Sequence, residues 1–249
     1  MKLTIVGCSG SMPGPNSTAS CYLLEHDGYR VVVDLGHGSV GALQRHIELT
    51  DIDAIVFSHL HADHCIDLTA LYVAYRYGPA PFADRIPVLG PADTPERMAA
   101  AYGMTSTRAM TAAFEFGDLS VAAALGPFRL RAERMAHPVE AYGTRFEVDD
   151  ASFVYTGDTG PCRALDDLAR NTDLLLSEAS FRHGDLNPAD LHLTGRQAGE
   201  VASAAAVGQL VITHVPPWHD PEVARAEAAA VFDGPIDVAT PGAVYAVAG

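Results

Sequence analysis

Ser58-His59-Leu60-His61-Ala62-Asp63-His64 sets three imidazoles and a carboxylate into one short stretch. Upstream lies Ile52-Asp53-Ala54-Ile55-Val56-Phe57, apolar enough to read as a buried strand. Downstream, Ile66, Leu68, Leu71 and Tyr72 recur at roughly helical spacing between Cys65 and Tyr77. The polar cluster therefore sits on a loop between a strand and a helix, where a rigid scaffold commonly presents binding and catalytic groups. Imidazole nitrogens and carboxylate oxygens are the donors that zinc, manganese and iron accept. Metal centres of this kind draw ligands from several elements, so further donors are expected elsewhere in the chain.

Those donors follow a pattern. Ser152-Phe153-Val154-Tyr155 reads as a strand and runs into Thr156-Gly157-Asp158-Thr159-Gly160, an acid on a glycine-flanked turn. Asp173 to Ser177 is another apolar run and ends at Glu178-Ala179-Ser180. Leu210-Val211-Ile212-Thr213 delivers His214 before Pro216-Pro217 stops regular structure. His137 lies in Ala136-His137-Pro138, between the strand-like segments Phe128–Ala132 and Phe146–Val148. Alone it would read as an ordinary surface histidine. His192 precedes Thr194, which caps a helix expected over Gly195–Ala206. Asp34 closes the apolar run Tyr29–Val33. It reads equally as a turn former and as a group that orients a metal ligand. His37, three residues on, reads as a solvated loop histidine.

Composition limits the function classes. The 249 residues include 48% hydrophobic side chains, enough for a sizeable core, and carry a formal net charge of −15. The sixteen Lys and Arg form no run, so a large nucleic-acid partner is disfavoured. Bound divalent cations would offset part of that charge locally. Met1 to Gly7 reads as an immediate strand without a signal peptide's apolar region, and no apolar run reaches the length of a membrane span. Cys8, Cys21, Cys65 and Cys162 form no C-x-x-C pair and fit reduced thiols. A cytoplasmic protein with no membrane partner is the resulting expectation.

The remaining elements are coarser. Cys21–Leu24 and Tyr29–Val33 flank Asp27-Gly28, a hairpin signal. Gly7 to Ser17 is glycine-rich but lacks a phosphate loop's Gly-Lys-Ser/Thr ending, so it reads as a turn that brings backbone close to a site. Helices are expected over Val40–His46, Pro95–Tyr102 with Thr94 as N-cap, Leu165–Arg170 and Ala224–Phe232. Short strands are expected at Ile86–Leu89, Ile236–Ala239 and Val244–Val247. No linker or repeat divides residues 1–249, so one domain is expected. Tyr72, Tyr75, Tyr77 and Trp218 are open between base stacking, core packing and a subunit contact. A homodimer is among the assemblies the sequence allows.

His59-x-His61-x-Asp63-His64, followed in order by His137, Asp158 and His214, resembles the metallo-β-lactamase superfamily over nearly the whole chain. The resemblance implies an α/β, four-layer αββα sandwich with a dinuclear centre between the sheets. His59, His61 and His137 would hold one divalent ion and Asp63, His64 and His214 the other, with Asp158 bridging. Zinc is the implied metal, with manganese and iron as alternatives. Gly7-x-x-Gly10-x-x-Pro13, Glu178-Ala179-Ser180 and His192-Leu193-Thr194 look like the branch of ribonuclease Z and class II cyclic-nucleotide phosphodiesterases. Gly41-Ala42-Leu43-Gln44-Arg45-His46 and His214-Val215-Pro216-Pro217-Trp218 are most similar to an actinobacterial group of atypical class II enzymes. By this likeness His192 would contact the phosphate or protonate the leaving oxygen, Glu178 would orient it, and Asp63 would assist proton transfer as well as bind metal. Two features depart from the branch. Leu193 stands where a hydroxyl residue is expected, and the arm with which ribonuclease Z grips transfer RNA is not evident. The implied function is hydrolysis of small 3′,5′-cyclic nucleotides such as cAMP through a dinuclear-metal-activated hydroxide. A ribonuclease Z-like endonuclease is the alternative. Lactone, thioester or sulfate-ester hydrolysis and a non-catalytic ligand sensor are more distant readings.

Overall fold

Alternation along the strands decides the architecture. In the computed structural model, which describes residues 1–248, Tyr22 and Leu24 face one core while Cys21 and Leu23 face another. Val31 and Val33 oppose Val32 in the same way. In the second half Phe153 and Tyr155 share the core of Tyr22, whereas Val154 turns to a third core with Leu175, Leu210 and Ile212. A strand presents successive side chains to opposite faces, so strands apolar on both faces must be covered on both. The outcome is four layers: helices, sheet, sheet, helices. Burying each large side chain contributes about 1.5–3 kcal/mol, and a one-residue slip in register would forfeit a whole face at once.

The first sheet holds β1 (Lys2–Gly7), β2 (Cys21–His26), β3 (Tyr29–Val33), β4 (Ala54–Val56), β5 (Ile86–Gly90) and β6 (Phe114–Asp118). The second holds β7 (Ala124–Leu125), β8 (Phe128–Arg134), β9 (Tyr142–Val148), β10 (Ala151–Tyr155), β11 (Leu174–Glu178), β12 (Gln209–Thr213) and β13 (Ile236–Val238). The chain then returns through β14 (Val244–Ala246) to pair with β1. Both sheets are seven-stranded and run in the orders β14-β1-β2-β3-β4-β5-β6 and β13-β12-β11-β10-β9-β8-β7. Each is mixed: β3 to β6 are parallel in one and β10 to β13 in the other. Open parallel sheets bind ligands beyond the carboxyl ends of their strands. Those ends carry Asp34 after β3, the His59 loop after β4, Asp158 after β10, Glu178 on β11 and His214 after β12.

Helices α1 (Ser39–Leu43), α2 (Ala62–Cys65), α3 (Leu68–Tyr77), α4 (Thr94–Ala101) and α5 (Arg108–Ala113) belong to the first half. Helices α6 (Arg163–Ala169), α7 (Gly195–Ala204) and α8 (Pro221–Ala229) belong to the second. Leu43, Leu68, Leu71, Met98 and Met110 cover the outer face of the first sheet, and Leu165, Leu168, Val201 and Ala228 cover that of the second. Thr194 caps α7 as expected, completing a reciprocal capping box with Gln197. Asp27 and Gly28 both adopt positive φ, 47° and 82°, which the hairpin turn requires.

Several expectations need correction. The helix read from Cys65 to Tyr77 is interrupted: the Asp67 amide donates to the Leu35 carbonyl and its carboxylate accepts from the Val40 amide at 3.0 Å, which diverts the chain between α2 and α3. Asp93, not Thr94, is the N-cap of α4, and the Thr94 hydroxyl donates instead to the Pro91 carbonyl. Helix α1 ends at Leu43, short of His46. His37 is half-buried rather than solvated, and its carbonyl accepts from the Ala19 amide at 3.3 Å. Tyr72 is buried against Tyr102 and Tyr75 packs on Phe82 and Phe114, so both serve packing, while Tyr77 and Trp218 are exposed. The four cysteines are free. Among the described residues, no helix is long and apolar enough to cross a membrane.

Candidate metal centre

The loop after β4 folds against the second sheet. His59 bridges to Ala141, and the Tyr142 amide donates to the Ser58 carbonyl. The rims of the two sheets therefore meet at this loop. His59, His61, His137 and Asp158 offer donor atoms that all lie within 4.8 Å of one another, and so do Asp63, His64 and His214. Asp158 faces both groups. Its Oδ2 is 3.6 Å from His59 Nε2, while its Oδ1 is 3.4 Å from His64 Nε2 and 3.5 Å from His214 Nε2.

The tautomers explain what such a cluster accepts. His64 Nδ1 donates to Asp34 Oδ2 at 2.7 Å and His137 Nδ1 to the Leu191 carbonyl at 2.9 Å. Ser180 Oγ gives its own proton to the His214 carbonyl, so it accepts from His214 Nδ1 at 2.8 Å. Ser58 Oγ likewise donates to Asp34 and accepts from His59 Nδ1 at 3.1 Å. The proton of each of these four imidazoles is thereby fixed on Nδ1, which leaves Nε2 as a bare lone pair. These lone pairs converge: His59 Nε2 and His137 Nε2 lie 3.0 and 3.2 Å from His61 Nδ1, and His64 Nε2 lies 3.1 Å from His214 Nε2. Only the Ser11 amide approaches His214 Nε2 as a donor, at a long 3.4 Å. Asp158 Oδ1 is buried without a hydrogen-bond partner. Facing lone pairs and an orphaned carboxylate oxygen fit divalent cations, and the donor set suits zinc, manganese or iron.

Electrostatics agree with that fit at His59, His61 and His137. Burial, reinforced by neighbouring imidazoles, pushes His59, His61 and His137 below the usual histidine range, so they stand neutral in the metal-binding form. His64 goes the other way, because Asp158, Asp63 and Asp34 outweigh its burial. Burial opposes ionisation of Asp63 and Asp158, yet the His64 and His214 rings hold both well below the usual carboxylate range.

The supporting contacts are as ordered as the donors. Asp34 is fully buried and accepts from the Ser58 amide and hydroxyl, His64 Nδ1 and the Tyr155 hydroxyl at 2.7–3.0 Å. With φ at 59° it also turns the chain while it accepts from the His64 ring, so the geometry of both readings open in the sequence is present. His214 is left-handed too, at φ 56°, a conformation costing roughly 1–2 kcal/mol for a non-glycine residue. Gly10 packs so closely on the His214 carbonyl, and Gly36 on that of Asp63, that a Cβ at either position would collide with it. Glu178 is fully buried. Its Oε1 accepts from the Thr159 amide at 2.8 Å and from His192 Nδ1 at 2.9 Å, and its Oε2 from the Ser180 amide at 3.1 Å. Burial disfavours the charged form of His192, but Glu178 outweighs it and lifts the imidazole to about 9. The His192 ring stands 5.6 Å from that of His137 and 5.7 Å from that of His214, so it overlooks both donor groups. It also lies with Asp158 and His214 within a 4.8 Å cluster, although its Nδ1 is engaged by Glu178.

Every donor singled out in the sequence thus lies on one rim. Ser58, Tyr155, Ser180 and the Leu191 carbonyl were not foreseen as their partners. Ser58 and Ser180 adjoin motif residues and offered some signal, whereas a carbonyl partner offers none. Asp34→Asn tests these contacts, because asparagine tolerates the left-handed conformation and keeps the shape while losing the charge. The expected result is a 10- to 100-fold loss of divalent-ion affinity in competition with a chelator, with the fold retained. Unchanged affinity would leave Asp34 a turn residue only.

Comparison with known proteins places these features. The model of the β-lactamase superfamily domain matches residues 29–215. An uncharacterised protein of Mycobacterium tuberculosis is 42% identical over 243 residues, spanning 95% of this chain and 88% of that protein. A probable metallo-hydrolase of Bacillus subtilis, YhfI, is 30% identical over 98% of this chain and 99% of its own. Its crystal structure superposes with a TM-score of 0.87 over 98% of both chains. A ribonuclease Z of Streptomyces avermitilis is 27% identical over 96% of this chain and 95% of its own.

Proposed function

The chain belongs to the metallo-β-lactamase superfamily, whose fold is that of metal-dependent hydrolases, and from that membership we propose that it hydrolyses small 3′,5′-cyclic nucleotides such as cAMP. His59, His61 and His137 would hold one divalent ion and Asp63, His64 and His214 a second, with Asp158 shared. Such a pair, zinc in the first instance, supplies a nucleophilic water at neutral pH and stabilises charge on the attacking and leaving oxygens. Asp63 retains some exposure, 11% of its side chain, and would accept a hydrogen bond from the attacking water as well as ligate. Its strongly held negative charge suits orientation better than proton storage.

The observation that carries the reading is the Glu178–His192 pair. Glu178 holds no atom in the donor groups, yet it is fully buried, with one oxygen shared between the Thr159 amide and His192 Nδ1 and the other taken by the Ser180 amide. With Nδ1 committed to Glu178, the Nε2 of His192 is left to contact a phosphoryl oxygen or to give its proton to the leaving 3′-oxygen. Holding metal does not require His192, whereas a displaced ribose alkoxide, a poor leaving group, gains from a proton donor there.

A ribonuclease Z-like endonuclease is the second reading, favoured by the end-to-end alignment with the Streptomyces protein. The net charge of −15 argues against it, since binding a polyanion draws on clustered cations. Turnover of cAMP, cGMP and precursor transfer RNA, measured side by side on metal-loaded protein, separates the two. The expected result is hydrolysis of a cyclic nucleotide with the RNA left intact. Cleavage of the RNA without turnover of any cyclic nucleotide would overturn the proposal in favour of the endonuclease.

A further inference from the structure

Resting on the phosphodiesterase reading, we propose that the cavity beside His61 receives the purine base of the substrate, and that Arg97 and Asp93 determine its specificity. The cavity, of about 310 Å³, is lined by Leu60, His61, Pro91, Asp93, Arg97, Val139 and Glu140. His61 belongs to the donor cluster, so a ligand whose phosphate sits at that cluster has this space within a nucleoside's reach. Leu60, Pro91 and Val139 give the cavity apolar surface suited to the face of a flat ring.

The polar groups are unevenly committed. Glu140 already accepts from the Tyr142 hydroxyl at 2.6 Å and faces Arg134 at 3.8 Å. Asp93 caps α4 without a side-chain hydrogen bond to it, and Arg97 follows one helical turn later. Carboxylate and guanidinium at this spacing commonly pair with each other. Here neither forms an ion pair with the other or with any described residue. Arg97 is thus an uncommitted guanidinium lining the same cavity as His61. Together they offer an acceptor and a forked donor to one cavity. A purine edge presents the complement: a ring nitrogen that accepts from arginine, beside an amino group that donates to a carboxylate.

The test compares cAMP with 1-deoxyribose 3′,5′-cyclic phosphate, which keeps the cyclic diester and lacks the base. Arg97→Ala and, as a second variant, Asp93→Asn alter exposed side chains and leave the core intact. In Arg97→Ala, kcat/KM for cAMP is expected to fall about 10- to 100-fold, as for loss of a hydrogen bond to a charged group, mostly through KM. The preference for cAMP over the base-free substrate should shrink by a similar factor. Equilibrium binding of 5′-AMP should weaken in parallel, a readout independent of turnover. If cAMP is hydrolysed and both variants keep the wild-type preference and AMP affinity, the base pocket is overturned while the phosphodiesterase reading stands. If wild-type protein hydrolyses neither cyclic phosphate, the reading falls and the pocket with it.

Discussion

Asp158→Ala, purified without chelator, is expected to retain fewer divalent ions than the roughly two per chain expected of the parent and to lose more than about a hundredfold in turnover. That factor is the upper figure for removing a group that only supports a ligand, and Asp158 stands closer to the chemistry. Its two oxygens address different donor groups, at 3.6 Å on one side and 3.4–3.5 Å on the other. Among the described residues no other carboxylate spans both. Without it two cations would face each other with less negative charge between them, and one site would weaken at once. Elemental analysis and the rate on cAMP read the two consequences independently. Normal metal content with a normal rate would reduce Asp158 to a turn residue, and a fully active metal-free parent would remove the basis of the whole reading.

His192→Ala is expected to separate chemistry from metal holding. Positioned acid catalysis contributes about a hundred- to ten-thousand-fold, so kcat on cAMP should fall by roughly two to four orders of magnitude while both ions and the melting temperature stay close to those of the parent. The leaving group provides the sharper reading. p-Nitrophenolate departs without a proton, so bis-p-nitrophenyl phosphate should lose less rate than cAMP. An equal loss on both substrates at unchanged stability would assign His192 to binding the phosphoryl oxygen instead. His192 also packs edge-on against Phe181, with ring centres 5.1 Å apart. If that packing were its main role, both rates would fall together with a lower melting temperature. Loss of an ion on this substitution would make His192 a ligand and overturn the catalytic assignment.

The donors were legible because parallel strands buried on both faces read as unbroken apolar runs, and a polar residue directly after such a run stands out. That held for His59 after β4, Asp158 after β10 and His214 after β12. Asp34 was legible in position but not in role, since a left-handed turn residue and a histidine-orienting carboxylate call for the same side chain. His137 carried no signal of its own; what defines it is a ring pinned by the Leu191 carbonyl 54 residues away, and sequence neighbours say nothing of that. The break between α2 and α3 was hidden for the same reason. Apolar spacing through Leu71 and Tyr72 continues across it, and the Asp67 contacts with Leu35 and Val40 that impose it are tertiary. Helix α5, Arg108–Ala113, is too short for its period to register.

The way the donors are shared between the two sheets bears on how the fold survives mutation. His59, His61, Asp63 and His64 come from the first half of the chain, while His137, Asp158 and His214 come from the second. Any cation gripped by both would act as a strut across the sandwich and would find only the local His59–His64 donors in the unfolded chain. Ion occupancy would then add to folding stability, by at most about 2.7 kcal/mol for each site at a free-ion concentration a hundred times its dissociation constant, less what the His59–His64 stretch binds when unfolded. Mild core substitutions that would unfold a stripped chain would then be offset in a loaded one, so the ion supply of the surroundings would bear on how much sequence drift this fold tolerates.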